Sequence, residues 1–350
     1  MAHGSELRAG TDLHHRHEPR LGEHGAAAGW SGPLLGTALL TVARALLIAN
    51  PAAARTDARA VTTVRDTLRR GGWTVEVLAT ARAGDARRFA GEAHAEGFDT
   101  LVCYGGDGTA MEIAAGAVKS GIPLGLVPGG TGNLLAGNLR LPRDPAAAAR
   151  VILAGRTAAI DLGTVERPDG THYFAVCGGT GFDAQLMAGT AAAEKHRWKM
   201  AAYVMRAFAA LPGVTSPLHR VTVDGVARDL PAAMVLVANC GELVPPFLRL
   251  RHDIAPDDGW LDVVVLRAEG VWQSLSAFLE LARQPRNGAR RLWFGRGRTV
   301  RVEVLEGPPR PMQLDGEPWG DAPFEARLQP AALSVIVDPA TARLGASRLG

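Results

Sequence analysis

Tyr104-Gly105-Gly106-Asp107-Gly108-Thr109 is the stretch around which this 350-residue chain reads. It follows an apolar run, Thr100-Leu101-Val102-Cys103, with the character of a buried parallel strand. It precedes Ala110-Met111-Glu112-Ile113-Ala114-Ala115, which opens a helix. A strand that turns through glycines into a helix N-terminus presents bare backbone N–H groups and the positive end of a dipole, and both favour an anion. Gly105, Gly106 and Gly108 let a phosphate approach the backbone with no Cβ in the way, whereas the Asp107 carboxylate repels it. A divalent cation resolves that conflict, because Mg²⁺ is commonly held by one or two carboxylates together with phosphate oxygens.

Gly-Asp-Gly alone is also an ordinary turn. A second loop of the same kind strengthens the anion reading. Leu124-Gly125-Leu126-Val127 leads into Pro128-Gly129-Gly130-Thr131-Gly132-Asn133 and then into a helix-like Leu134-Leu135-Ala136. Two such loops after neighbouring strands lie side by side at the carboxyl edge of one sheet, where open α/β folds bind ligands.

The bulk properties set the frame. The length allows two ordinary domains, and 47% hydrophobic with 21% charged residues is the composition of a soluble globular protein. Cys103, Cys177 and Cys240 are odd in number and each sits in or beside an apolar segment, so they read as reduced core residues of a cytosolic protein. A net charge of +3 is too small to name a partner, and nothing in it asks for nucleic acid. The apolar stretch from Leu34 to Ile48 is interrupted by Arg44 and lacks a cationic start, so neither a signal peptide nor an anchor is expected.

Residues 1–40 are rich in Gly, Ala, His and charge and read as a mobile extension, in which His14, His15, His17 and His24 belong to a solvated tail. Next come a strand at Ala45 to Ala49, a helix from Ala58 to Arg70 stopped by Gly71-Gly72, a strand at Thr74 to Leu78, a helix from Asp85 to Glu96 and the strand before Gly105. Alternation of strand and helix with short connections makes a parallel, doubly wound sheet. A helix over about Ala146 to Ala154 closes a first domain, residues 41–158. From Ile160 the pattern changes to short strands at Ile160 to Val165, Tyr173 to Cys177, Leu218 to Val223, Met234 to Ala238, Leu261 to Leu266, Thr299 to Val304 and Leu333 to Val337. Val300-Arg301-Val302-Glu303-Val304 alternates strictly, with one face buried and one wet. Helical exceptions are expected at Asp183 to Leu211 and Val271 to Arg283. The fold expected is an N-terminal α/β domain followed by an antiparallel β-sandwich-like domain over residues 159–337. An active-site cleft lies between them, and a tail of residues 338–350 packs back on the first domain.

Four segments now stand in order: Asn50-Pro51, the Gly105 to Thr109 loop with Glu112, the Pro128 to Asn133 loop, and Leu314-Asp315-Gly316-Glu317-Pro318. Phe174-Ala175-Val176-Cys177-Gly178-Gly179-Thr180-Gly181-Phe182-Asp183 and Ala255-Pro256-Asp257-Asp258-Gly259-Trp260-Leu261-Asp262 are two further matches. Together they resemble the diacylglycerol kinase catalytic domain family, in particular its bacterial soluble lipid kinases related to sphingosine kinases, from about Arg44 to about Asp338. The resemblance assigns ATP binding to Asn50, Thr80, the Gly105 to Met111 loop and Thr131. The two glycine loops read alone agree, and add Glu112, Gly130 and Asn133. The resemblance also implies a Mg²⁺ ion on the Asp258 carboxylate and on main-chain oxygens of Ala255 and Trp260, although Asp258-Gly259 is equally a plain turn.

Phosphoryl transfer to a lipid hydroxyl needs a carboxylate in reach to take the proton. The resemblance gives that role to Glu317, with Asp315 close enough in sequence to compete, while Asp315-Gly316 also carries a hairpin-turn signal. Two departures stand out. Ala52-Ala53-Ala54-Arg55 replaces the family's small-residue and glycine run, and Met111 replaces the Asn often found before its Glu.

The expected protein is an ATP- and Mg²⁺-dependent lipid kinase, cytoplasmic and peripheral to the inner face of the membrane. It docks transiently on its lipid substrate, with a homodimer left open. An NAD kinase shares the Gly-Gly-Asp-Gly loop and the two-domain plan, and a nucleotide-binding regulator without transfer activity is the alternative of another class. The late Asp315-Gly316-Glu317 and the Pro128 to Asn133 loop favour the lipid kinase.

Overall fold

The computed structural model describes residues 43–118, 120–181, 211–245, 248–283, 289–338, 340 and 344. The N-terminal extension and most of the helix expected at Asp183 to Leu211 lie outside the described residues. Strands β1 (Arg44–Ala49), β2 (Thr74–Ala79), β3 (Thr100–Gly105) and β4 (Leu124–Pro128) form the parallel sheet in the order β2-β1-β3-β4. Helices α1 (Ala58–Arg70) and α5 (Pro145–Ala154) share one core layer with it. On the other side lie α2 (Asp85–Ala93), α3 (Asp107–Ala117) and the short α4 (Leu134–Asn138).

Local chemistry sets these boundaries. The Asp57 carboxylate accepts from the Ala60 N–H at 2.7 Å to cap α1, and Asp144 does the same for Ala147 ahead of Pro145 in α5. β3 and β4 are buried along their whole length, as continuous apolar runs in a parallel sheet should be. One boundary differs from expectation. Asp107, Gly108 and Thr109 are not loop but the first turn of α3, because Gly106 in extended conformation ends the strand and serves as N-cap.

The second half is antiparallel. β5 (Arg156–Arg167) pairs with β6 (Gly170–Phe174) and with the long β18 (Phe324–Val337). β18 continues the first sheet in the order β4-β18-β15-β8-β9, through β15 (Thr299–Val304), β8 (Leu218–Val223) and β9 (Val226–Pro231). A second sheet runs β14-β13-β10-β7-β16-β17, from β14 (Leu292–Gly297), β13 (Leu261–Leu266) and β10 (Met234–Ala238) to β7 (Cys177–Gly181), β16 (Pro311–Leu314) and β17 (Glu317–Asp321). The inner faces of the two sheets meet in a core that includes Phe174, Val221, Val237, Val263, Val302 and Phe324. A small hairpin of β11 (Glu242–Val244) and β12 (Leu248–Arg249), a 3-10 turn at Leu211–Gly213 and the helix α6 (Gly270–Arg283) complete the described elements.

The strand expected at Tyr173 to Cys177 is interrupted at Ala175 and Val176. The N–H groups of Ala175, Val176 and Cys177 leave the ladder for the Asp315 carboxylate, at 2.7, 2.8 and 2.9 Å. β18 begins nine residues before the expected strand. It carries a register irregularity between Gln329 and Leu333, with Ala331 at φ +50°. Leu344 packs, partly buried, against the largest core cluster. Cys103, Cys177 and Cys240 are all buried.

Candidate active site

The expected nucleotide residues gather at the carboxyl edge of the parallel sheet. Thr80 follows β2, Asn50 follows β1, Gly106 follows β3 and Gly129 follows β4. The Asn50 side chain donates to Thr109 Oγ1 at 2.8 Å and accepts from the Ala52 N–H at 2.9 Å, so the loop after β1 is pinned to the first turn of α3. Thr80 is half-buried, and its N–H donates to Ala49 O at 2.9 Å. Glu112, one turn into α3, accepts from the Gly84 N–H at 3.0 Å and closes the loop after Thr80.

The two glycine loops lie back to back, with Gly129 N–H donating to Gly105 O at 2.7 Å. A Cβ on Gly130 would stand 2.6 Å from Gly106 Cα, so only glycine allows this approach. Asn133, left-handed at φ +51°, holds its own loop closed by accepting from Gly130 N–H and donating to Gly130 O, each at 2.8 Å. Thr131 stands exposed between them. The Ala52 to Arg55 segment is anchored despite its lack of glycine. Arg55 N–H donates to Gly129 O at 2.9 Å, and the Tyr104 hydroxyl donates to Arg55 O at 2.9 Å. Met111 is partly buried and packs against the core.

Asp107 sits where the loops meet. It accepts from the Leu134 N–H at 2.6 Å, and burial pushes its carboxyl up to about 6 against the opposing pull of backbone N–H groups, with the Glu317 charge adding to the rise. Glu317 comes from the other half of the molecule. Asp315, at φ +46°, and Gly316, at φ +88°, form a tight two-residue turn between β16 and β17, with Leu314 paired to Glu317 across it. That turn lays the Glu317 carboxylate on Gly108, where a Cβ would be 2.5 Å from Oε1. One side of Glu317 remains open to solvent, but burial on the other raises its pKa and the neighbouring Glu112 charge raises it further.

Asp315 has a different environment. Its two oxygens accept all three N–H groups of Ala175, Val176 and Cys177, and it is buried, so its carboxyl is pushed up to about 7 in spite of those donors. It positions the turn that carries Glu317.

The Asp258 turn shares a guanidinium with a second carboxylate. Its carboxylate accepts from Trp260 N–H at 3.0 Å and Ala255 N–H at 3.4 Å, and Ala255 O accepts the Asp258 N–H at 3.3 Å. The Arg296 guanidinium lies 3.6 Å from Asp258 and makes a two-point contact with Asp262, both bonds at 2.9 Å. Burial raises the Asp258 carboxyl to about 6, and Arg296 offsets part of that rise. Arg296 thus stands beside an oxygen-rich turn of the kind that hard cations use, with its guanidinium spent mainly on Asp262. Among the described residues no group of three or more His, Cys, Asp or Glu side chains is arranged to hold a metal.

Sequence reasoning missed Asp161, fully buried, whose carboxylate accepts from Gly259 N–H and Ala331 N–H, each at 2.7 Å. It ties the Asp258 turn to the irregularity of β18. The only signal for it was a charged residue inside an apolar strand.

Residues 44–165 match the diacylglycerol kinase catalytic domain, and residues 177–337 match the YegS C-terminal NAD kinase beta sandwich-like domain. A Mycobacterium tuberculosis protein named diacylglycerol kinase is 30% identical over 278 residues, covering 76% of this chain and 85% of its own. This chain belongs to the diacylglycerol kinase family. A Chromohalobacter salexigens relative, named a probable lipid kinase YegS-like, is 29% identical over 287 residues, 79% of this chain and 88% of its own. The crystal structure of a Bacillus anthracis diacylglycerol kinase shares the fold, with a TM-score of 0.66 at 22% identity, covering 86% of this chain and 99% of that one. The kinase family, the parallel α/β half and the antiparallel β half are therefore those read from the sequence. No described helix is long and apolar enough to cross a membrane.

Proposed function

We propose that the chain is an ATP- and Mg²⁺-dependent lipid kinase that transfers the γ-phosphoryl group to the hydroxyl of a membrane lipid, diacylglycerol or a close relative, with Glu317 as general base. The observation that carries this reading is the Glu317 carboxylate lying on Gly108, at the N-terminus of the helix that opens on the first glycine loop. Nucleotide phosphates held by the N–H groups of the two glycine loops would put the γ-phosphorus near that carboxylate. Glu317 takes the hydroxyl proton as the new O–P bond forms, the β,γ-bridging bond breaks, and ADP leaves with the displaced electron pair. A raised pKa makes Glu317 a stronger proton acceptor than an ordinary carboxylate.

The surplus of negative charge suits the nucleotide's cation. The Glu317 charge raises the proton affinity of Asp107, and the Glu112 charge raises that of Glu317. Mg²⁺ carried in by ATP would relieve that repulsion beside Asp107 and Glu317, with phosphate oxygens completing its shell. The match to family members named as lipid kinases supports the choice of acceptor class.

Transfer of radiolabelled phosphate from ATP to lipid alcohols in mixed micelles tests the reading, with NAD as a separate acceptor. We expect label in diacylglycerol or another lipid alcohol only when Mg²⁺ is present. Label in NAD and in no lipid would overturn the acceptor class, and no label in any acceptor would overturn the activity.

A further inference from the structure

Six large apolar side chains stand exposed among the described residues, and four of them, Trp272, Leu275, Phe278 and Leu279, belong to α6. At about 3.6 residues per turn these four share one side of the helix with Ala282, and Arg283 closes its end. Trp272 is 83% exposed and Phe278 55%, whereas Ala277 and Leu281 on the other side are buried in the core.

The polar residues of α6 are drawn away from that side. Arg291 donates from its guanidinium to Gln273 at 2.7 Å and to Ser276 at 3.2 Å, and from its backbone N–H to the Glu280 carboxylate at 3.0 Å. Glu280 is the only carboxylate of the helix, so the outer face carries four large apolar groups, one arginine and no negative charge.

We propose that the outer face of α6 is the surface by which this protein docks on an anionic phospholipid bilayer. The inference rests on the lipid-kinase reading for its biological sense, but its physical grounds are separate. A helix with an apolar face that includes Trp and Phe, flanked by a cation, lies in a membrane interface, with the rings at the headgroup boundary and the cation on lipid phosphates. A second copy of the chain is the weaker occupant. Four exposed large apolar side chains are few against the roughly 20–30 residues a side of a standard protein interface.

The helix is also braced toward the nucleotide loops. It packs on β12, where Arg249 pairs with Glu242. Glu242 pairs in turn with Arg140, just beyond the helix α4 that follows the second glycine loop. A bilayer held at α6 is thus joined by direct contacts to the nucleotide side of the molecule.

Vesicle co-sedimentation of the full chain, without nucleotide, tests the proposal. Wild type should pellet with vesicles of phosphatidylcholine and phosphatidylglycerol and more weakly with phosphatidylcholine alone. Trp272→Ser with Phe278→Ser should weaken binding to the mixed vesicles by about tenfold or more, and Arg283→Glu should weaken binding to the anionic vesicles selectively. Val226→Ser, at an exposed apolar position on β9, should change nothing. Circular dichroism of each variant establishes that it is folded. Transfer to a water-dispersed short-chain diacylglycerol should survive in the double variant, which separates docking from catalysis. If that transfer is absent in wild type too, the acceptor reading fails while the sedimentation result stands. Equal binding by wild type and the folded double variant, or no vesicle binding by wild type, would overturn the proposal. So would a wild-type dimer in sedimentation velocity that the double variant dissolves, since the face would then belong to a second copy.

Discussion

Glu317 and Asp315 sit two positions apart on one turn and have opposite tasks. Asp315 holds three backbone N–H groups, and Glu317 rests on the glycine loop with one side free. Glu317→Gln should lower turnover by ~10²–10⁴-fold with nucleotide affinity nearly unchanged, measured by single-turnover transfer and nucleotide titration. Asp315→Asn replaces an acceptor-only group by an amide that offers fewer acceptor sites to the same three donors. It should lower stability by about 1–3 kcal/mol in denaturant melts. The pH profile separates the groups further. Because the pKa of Glu317 is raised, the ionised base is lost as pH falls through a value above the ordinary carboxylate range, so the acid limb of turnover lies above that range. Removing the Glu112 charge in Glu112→Gln takes away one cause of the rise, so the acid limb should move to lower pH; an unmoved limb would remove Glu317 as the titrating base. The hairpin was legible in Asp315-Gly316 as a turn signal. The role of Asp315 was not, because its partners at Ala175 to Cys177 lie far upstream and no local pattern links them.

At the level of elements, strand-glycine-helix units were the most legible part of the chain, since buried parallel strands read as apolar runs and glycines mark their ends. The start of α3 was misread for a physical reason. Asp107-Gly108-Thr109 has turn composition, yet Gly106 provides the cap, so the helix begins at the carboxylate itself. That placement makes a glycine test sharp. Gly108→Ala adds a methyl group where Glu317 Oε1 lies, and the flexible carboxylate must move away; turnover should fall at least about tenfold with the melting temperature little changed. Gly130→Ala instead meets the backbone of Gly106, which has no such freedom, so both stability and nucleotide binding should fall. Equal melting curves for the two variants would contradict the back-to-back loops. The Asp258 turn was legible as a turn, but its guanidinium neighbour was not, since Arg296 arrives from a strand 38 residues later. Arg296→Gln should destabilise the fold and strengthen the response of its melting temperature to added Mg²⁺.

Over the whole molecule, the two-part plan was readable from the change of pattern near Ile160, while the way the parts join was not. β18 pairs with β4 at Val335 and with β15 from Phe324 to Arg327, and it runs beside β5 for most of its length. Strand partners so distant in sequence leave no periodic trace. A fragment of residues 43–165 would lack this strand, leaving the β4 edge bare and its neighbouring core open. It should be recovered aggregated or unfolded, and the full chain should melt in one calorimetric transition. Two well-separated transitions would show instead that the halves fold apart.

β18 also acts as a tie beam. One strand is anchored in the floor beneath the nucleotide loops and in the wall that packs against the Glu317 sheet, so strain applied to either half is borne by the other. The two halves could turn at that seam only by tearing the ladder of β18 or by bending it at the irregularity between Gln329 and Leu333. Any motion that changed the gap between Gly108 and Glu317 would therefore have to work through that seam.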